Sequence, residues 1–229
     1  KATVNVGDKN GHTPVYLAAR HGHSDILQIL VDAYPALNEG SDPNAFPLLC
    51  AAARGDIACI QSLVEMRTDI NVSPRLSNAT ALQLAATCGH GDAVQVLLDA
   101  QASLDAQASN GWTPMHYAAR EGQHGTMQVL LDANASLDTR GSRGETLLHL
   151  AASSGRSGAV QVLLDAKASL DVQDCNGYTP MHYAVQEGRS GAVRVLLNAK
   201  ASIDTKDSRG ETLLHLAAAA SGHIGAVQV

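Results

Sequence analysis

Ten histidines and four cysteines are the residues of this 229-residue chain with the most obvious chemical potential. Histidine can ligate zinc or act as a general base near neutral pH, and a deprotonated cysteine can attack a carbonyl or hold a metal. Four histidines, His116, His149, His182 and His215, stand 33 residues apart, each three residues after a threonine. Zinc needs its nitrogen ligands at about 2 Å. Residues that recur at such a period sit on successive packed helices, about 8–10 Å apart, so these four do not share one ion. A threonine and a histidine three residues apart are instead suited to hydrogen bonding at a helix start. His12, His21 and His23 are closer together, but His23 has counterparts at His90 and His223, which marks a repeat position. No metal site is expected.

The other candidates for catalysis fare no better. Cys50, Cys59, Cys88 and Cys175 fall at unrelated places, without a C-x-x-C pair. Cys59 lies on an apolar helical pattern, Cys88 near a helix end and Cys175 in a connector, and none sits in a recognisable nucleophile setting. Asp132 and Asp138 recur as Asp99 with Asp105 and Asp165 with Asp171, whereas a catalytic pair is expected once in a chain. The glycines mark turns at the repeat period rather than crowding into a phosphate loop. The chain is therefore read as non-catalytic, with no cofactor.

The elements that carry these residues follow from the repetition. Gly111-Trp-Thr-Pro-Met-His-Tyr-Ala-Ala119, Gly144-Glu-Thr-Leu-Leu-His-Leu-Ala-Ala152, Gly177-Tyr-Thr-Pro-Met-His-Tyr-Ala-Val185 and Gly210-Glu-Thr-Leu-Leu-His-Leu-Ala-Ala218 are near copies, with their glycines 33 residues apart. Earlier copies begin at Gly11, Asn44 and Asn78, and the 34-residue step between the last two places one added residue near Pro74. Such a period predicts a solenoid, because each unit is too small to bury its own apolar face and must stack on its neighbours. One domain over residues 1–229 is expected, with units at about 8–40, 41–74, 75–107, 108–140, 141–173, 174–206 and an incomplete 207–229. Both ends read as cut within a unit. The alternation of Pro-Met-His-Tyr with Leu-Leu-His-Leu makes the larger repeat 66 residues, a duplicated pair.

Within residues 108–140, Thr113 and Pro114 predict a helix start, since threonine can cap the free N–H groups and proline loses nothing at the first position. That helix runs to about Glu121, where Gly122 suits a left-handed end. Met127, Val129, Leu130 and Leu131 supply the apolar face of a second helix ending near Asn134. Leu104, Leu137, Leu170 and Ile203 are lone apolar residues in polar connectors and are expected to insert into the core. Each connector is expected to project as a hairpin-like finger.

The pattern Gly-x-Thr-Pro-x-His-x-Ala-Ala, with a glycine eleven positions on and a later Val-Leu-Leu, resembles the ankyrin repeat. It is strongest from residue 108 onward and looser over 41–107, where Phe46 replaces the threonine and Leu49 and Gln83 replace the histidine. The last unit also departs, with one extra residue within Ala217–Ser221. The resemblance implies an all-α solenoid of stacked helix-turn-helix units with β-hairpin-like fingers. It also implies partner binding through the fingers and the first-helix face, which lines a concave groove.

Function in a solenoid belongs to positions that vary while the framework repeats. The residue after each turn glycine reads Trp112, Glu145, Tyr178 and Glu211 in the last four units, and the pair closing each first helix includes Arg120-Glu121 and Gln186-Glu187. These eight are the expected contacts, with Trp112 and Tyr178 read either as exposed anchors or as packing between fingers. Replacing both by alanine is expected to weaken binding without loss of helix if they are anchors. A net charge of −6 and a pI near 5.9 argue against nucleic acid and, with Glu145 and Glu211, favour a partner protein with a basic surface. No apolar run approaches the roughly 20 residues that span a bilayer, and the cysteine pattern suits an intracellular, cytoplasmic setting. The expected role is a protein-binding scaffold. The alternative is the targeting or regulatory module of a larger enzyme, membrane protein or host-directed effector.

Overall fold

The structure is a computed structural model that describes residues 47–65, 67–72 and 79–219, with Pro14, His23, Ile26 and Ile29 before them. The rest of the first unit, the added residue near Pro74 and the close of the last unit after Ala219 lie outside the described residues. The chain divides into two compact units, residues 1–109 and 110–229.

In the first, α1 (Pro47–Arg54), α2 (Ile57–Glu65), α3 (Ala81–Cys88) and α4 (Gly91–Asp99) form two helix pairs. First helix packs on first helix, α1 on α3, and second on second, α2 on α4. The substitutions over 41–107 therefore leave the helix-turn-helix plan intact.

The second unit contains α5 (Pro114–Glu121), α6 (His124–Asp132), α7 (Leu147–Ser153), α8 (Ser157–Asp165), α9 (Pro180–Gln186), α10 (Ser190–Asn198) and α11 (Leu213–Ala219). The first helices α5, α7, α9 and α11 stack in one row, and α6, α8 and α10 in another. Each first helix starts at its threonine, as the sequence predicts. The repeated alanines, Ala118, Ala119, Ala151, Ala152 and Ala184, are fully buried and let neighbouring helices approach closely. Met115, Leu147, Leu148 and Met181 from one row meet Met127, Leu130, Val160, Leu163 and Leu196 from the other to form the core. Burial of each such side chain contributes about 1.5–3 kcal/mol.

Among the described residues there is no named strand, only one antiparallel bridge between Lys206 and Thr212. The fingers are nonetheless hairpin-like. Gly141 N–H donates to Glu145 O, Asp174 N–H to Tyr178 O and Asp207 N–H to Glu211 O, each at 2.9 Å. Successive fingers join through Ser142 N–H to Asn110 O at 2.9 Å, Cys175 N–H to Arg143 O at 3.0 Å and Ser208 N–H to Asn176 O at 2.9 Å.

The connector leucines are a correction. Leu104, Leu137 and Leu170 are only half-buried, and Ile203 is 56% exposed. The alanine two residues earlier takes the buried place: Ala102, Ala135 and Ala201 fold back so that their N–H groups donate to Leu97, Leu130 and Leu196 carbonyls. The backbone thus returns to the end of its own second helix. That return is made possible by a left-handed residue just before it, Gln101, Asn134, Lys167 or Lys200, with φ of 64–68°. A side chain there costs about 1 kcal/mol that glycine avoids. Lys167→Gly, at an exposed site, is expected to raise stability by about 0.5 kcal/mol at most after the added unfolded-state entropy is subtracted, read as a slightly higher urea midpoint.

Candidate partner-binding surface

The repeated histidines close their own helix starts, and His149 also latches onto the next unit. Thr146 N–H donates to His149 Nδ1 at 3.0 Å, with Thr146 Oγ1 at 2.8 Å from the same nitrogen. With Nδ1 accepting, the proton of the neutral ring sits on Nε2, which donates to the Tyr178 carbonyl of the next finger at 2.8 Å. Thr113 with His116 and Thr179 with His182 repeat the helix-start geometry. Gln83 reproduces both halves without a titratable group: its Oε1 accepts from Thr80 N–H at 2.8 Å and its Nε2 donates to Ala106 O at 2.7 Å. A role that an amide fills equally well is structural rather than catalytic. Burial lowers the pKa of His116 to about 4, opposed by the nearby Glu145 charge and by carbonyls of Glu145 and Thr139. His149 and His182 are lowered for the same first reason. The buried Cys59 thiol is pushed up to about 12 by desolvation and by Asp56, the opposite of what a nucleophile needs.

The finger residues turn inward. Trp112 is 8% exposed and Glu145 4%, because Trp112 Nε1 donates to Glu145 Oε1 at 2.9 Å across one repeat. The indole ring also meets Tyr117 edge-on at 5.3 Å. Gly141 makes the space. A Cβ there would lie 2.5 Å from Glu145 Cδ and 2.8 Å from Trp112 Nε1. The next two fingers carry Asp174 and Asp207 in its place, whose Oδ1 atoms accept from Asn176 and Arg209 N–H at 2.8 and 2.9 Å. Where glycine stands, Glu145 Oε2 supplies that acceptor instead, from Arg143 N–H at 2.9 Å. Burial pushes the Glu145 carboxyl up, but the bonds from Trp112 and the finger amides, with the Arg143 charge, outweigh it and hold the pKa low.

Tyr178 is also buried. It stacks on His182 at 5.7 Å, and its hydroxyl accepts from Arg209 Nη2 at 2.7 Å. Glu211 is partly exposed and lies 3.7 Å from Arg209 Nη2. Trp112 with Glu145 and Tyr178 with Arg209 thus pair neighbouring fingers, whereas Glu211 meets Arg209 of its own finger. Of the eight expected contacts, the structure brings Trp112 and Glu145 together as framework and places Tyr178 there as well. It leaves Arg120, Gln186 and Glu187 exposed at the ends of α5 and α9, with Glu121 half-buried beside them.

Sequence reasoning missed a set of side chains that reach back one repeat. His90 Nε2 lies 3.2 Å from Ala53 O, Arg156 Nε donates to Arg120 O at 3.4 Å and Arg189 Nε to Ser153 O at 2.9 Å. Each closes the carbonyl end of the preceding first helix, where a cation also suits the helix dipole. Arg156 lies over Gly122, whose φ is +77° and where a Cβ would approach Arg156 Cδ to 2.9 Å. The recurring bulky residue directly after the glycine that ends each first helix, His90, Arg156 and Arg189, was the available signal. Charge is uneven too: residues 1–109 hold 6 Lys and Arg against 11 Asp and Glu, and residues 110–229 hold 10 against 11. The acidity that favoured a basic partner therefore lies mostly outside the unit that holds the expected contacts. Among the described residues no helix is long and apolar enough to cross a membrane.

A model of ankyrin repeats in three copies matches residues 1–74, 48–141, 125–207 and 148–229. Human ankyrin repeat domain-containing protein 63 is 35% identical over 120 residues, covering 49% of this chain and 32% of that protein. The Gallus gallus nuclear factor NF-kappa-B p105 subunit is 31% identical over 124 residues, covering 52% of this chain and 12% of that protein. The crystal structure of the human ASB11 ankyrin repeat domain is similar with a TM-score of 0.84 at 26% identity, over 94% of this chain and 97% of that one. The matched part of this chain thus spans about a third or less of the two curated relatives.

Proposed function

Because the chain belongs to the ankyrin-repeat family, whose repeats are generally protein-interaction modules, we propose that it is a non-catalytic scaffold binding a protein partner. The finger tips and the ends of α5 and α9 in residues 110–219 form the contact surface. The observation that carries this reading is the division of labour within each unit. Thr, His and Ala-Ala repeat and are buried, while Arg120-Glu121, Ser153-Ser154 and Gln186-Glu187 vary at one outward position. Variation where stacking makes no demand is the mark of a recognition surface.

An intracellular, cytoplasmic setting is part of the proposal, supported by the four free cysteines. The small share of each curated relative that is matched favours a second reading, in which the repeats are the recognition module of a longer protein. Capture of partners by the chain and by an R120A/E121A/Q186A/E187A variant tests the surface. A partner lost by the variant with unchanged helical signal supports it. A partner captured equally by both moves the surface elsewhere.

A further inference from the structure

We infer that Arg120 and Arg143 form a clasp at the Trp112–Glu145 pair that takes carboxylates from an acidic segment of the partner protein. This rests on the partner-binding reading above and assigns the partner's chemistry.

Both guanidiniums border the same buried pair. The Arg120 guanidinium lies over the Trp112 ring, 5.3 Å from its centroid, and Arg143 Nε is 4.0 Å from Glu145 Oε1. Both side chains face water, with exposures of 51% and 74%. A cation held over an aromatic face is partly ordered before any partner arrives, at about 0.5–1 kcal/mol for an exposed site, and this lowers the entropy lost on binding.

Neither arginine is required by the stack. Arg156 and Arg189 spend their Nε donors on carbonyls of the preceding repeat, whereas Ser153 and Gln186 stand in place of Arg120 in the next two units, and Asn176 in place of Arg143 in the next. Only at Trp112 do arginines stand at both positions. Beside Tyr178, Gln186 and Arg209 leave one.

The local charge favours an incoming anion. Glu145 is already engaged by Trp112 and by the Arg143 amide, and Glu121 lies between Arg120 Nε and Arg156 Nη2 at 3.8 and 3.9 Å. Three guanidiniums thus meet two carboxylates. Glu121 shows that Arg120 accepts a carboxylate through Nε, and a guanidinium with five N–H donors can receive another.

Trp112 is the only tryptophan, so its emission reports on this site alone. The experiment titrates the whole chain with an octaglutamate peptide, with octaglutamine and octalysine as comparisons. The expected result is a saturable change in emission with octaglutamate only, weakened by salt. R120Q and R143Q are each expected to weaken it about fivefold, while Arg194→Gln, an exposed arginine on α10, leaves it within about twofold of the parent and circular dichroism is unchanged. Octalysine binding as tightly as octaglutamate, no response to octaglutamate, or a loss under twofold in both arginine variants would overturn the inference. A partner captured by the chain and lost in the four-site variant, yet held equally by R120Q and R143Q, would also overturn it while leaving the scaffold reading standing.

Discussion

Acidification from pH 7 to about pH 4.5 is expected to destabilise residues 110–219, and His116→Gln is expected to remove a large part of that loss. His116 titrates near 4 when folded, against 6.5 for the free side chain. Between these values the unfolded chain binds a proton that the folded one refuses, so stability falls as pH falls. At about 1.36 kcal/mol per unit, the loss from this residue alone approaches 2–3 kcal/mol at pH 4.5, and His149 and His182 act in the same direction. Glu145 and Asp207 have lowered carboxyl pKa values, so their share of stability is present above the ordinary carboxylate range and is lost only at lower pH. Going no lower than pH 4.5 therefore keeps most of their share in place while the histidines lose theirs. Glutamine is the informative substitution because Gln83 already fills the equivalent helix-start position as a neutral amide, accepting from the N–H of its threonine as His116 does. Urea midpoints at pH 7 and 4.5 measure the effect. An H116Q variant with the parent's full acid sensitivity would show that the proton goes elsewhere.

Trp112→Ala is expected to cost about 3–5 kcal/mol of stability, the range for removing a large buried aromatic side chain. The loss includes the ring's contact with Tyr117 and the N–H that Glu145 accepts, so a buried carboxylate oxygen is stripped of its neutral donor. Trp112→Phe keeps most of the apolar contact and is expected to cost roughly half as much, since it loses chiefly the hydrogen bond. Thermal and urea unfolding followed by circular dichroism distinguish the two variants. Fully retained stability in W112A would return the ring to the surface. The same result bears on function: a binding defect in W112A is uninformative unless folding is intact, which is why Arg120, Glu121, Gln186 and Glu187 are the better probes.

Much of this protein was legible before any coordinates. The 33-residue period, the threonine-capped starts and the glycine ends are written within a few residues of one another, because helix caps join positions three or four apart. For that reason α5 begins at Pro114 and ends at Glu121 as the sequence predicts. The structural role of the histidines was legible too, since Thr and His lie three residues apart. The second-helix connector was less so. The left-handed turn at Asn134 and the burial of Ala135 instead of Leu137 depend on how closely the chain returns, which composition does not reveal.

The candidate surface divides along the same line. By itself the sequence determined the fold, the framework positions and the short set of positions that vary. Only the tertiary structure decided which of those face water. The partner of Trp112 is Glu145, one whole repeat away, and the room for their meeting comes from a missing side chain at Gly141. Contacts of that range form when repeats stack, so no local pattern could announce that a tryptophan on a finger is buried while the arginine above it is exposed.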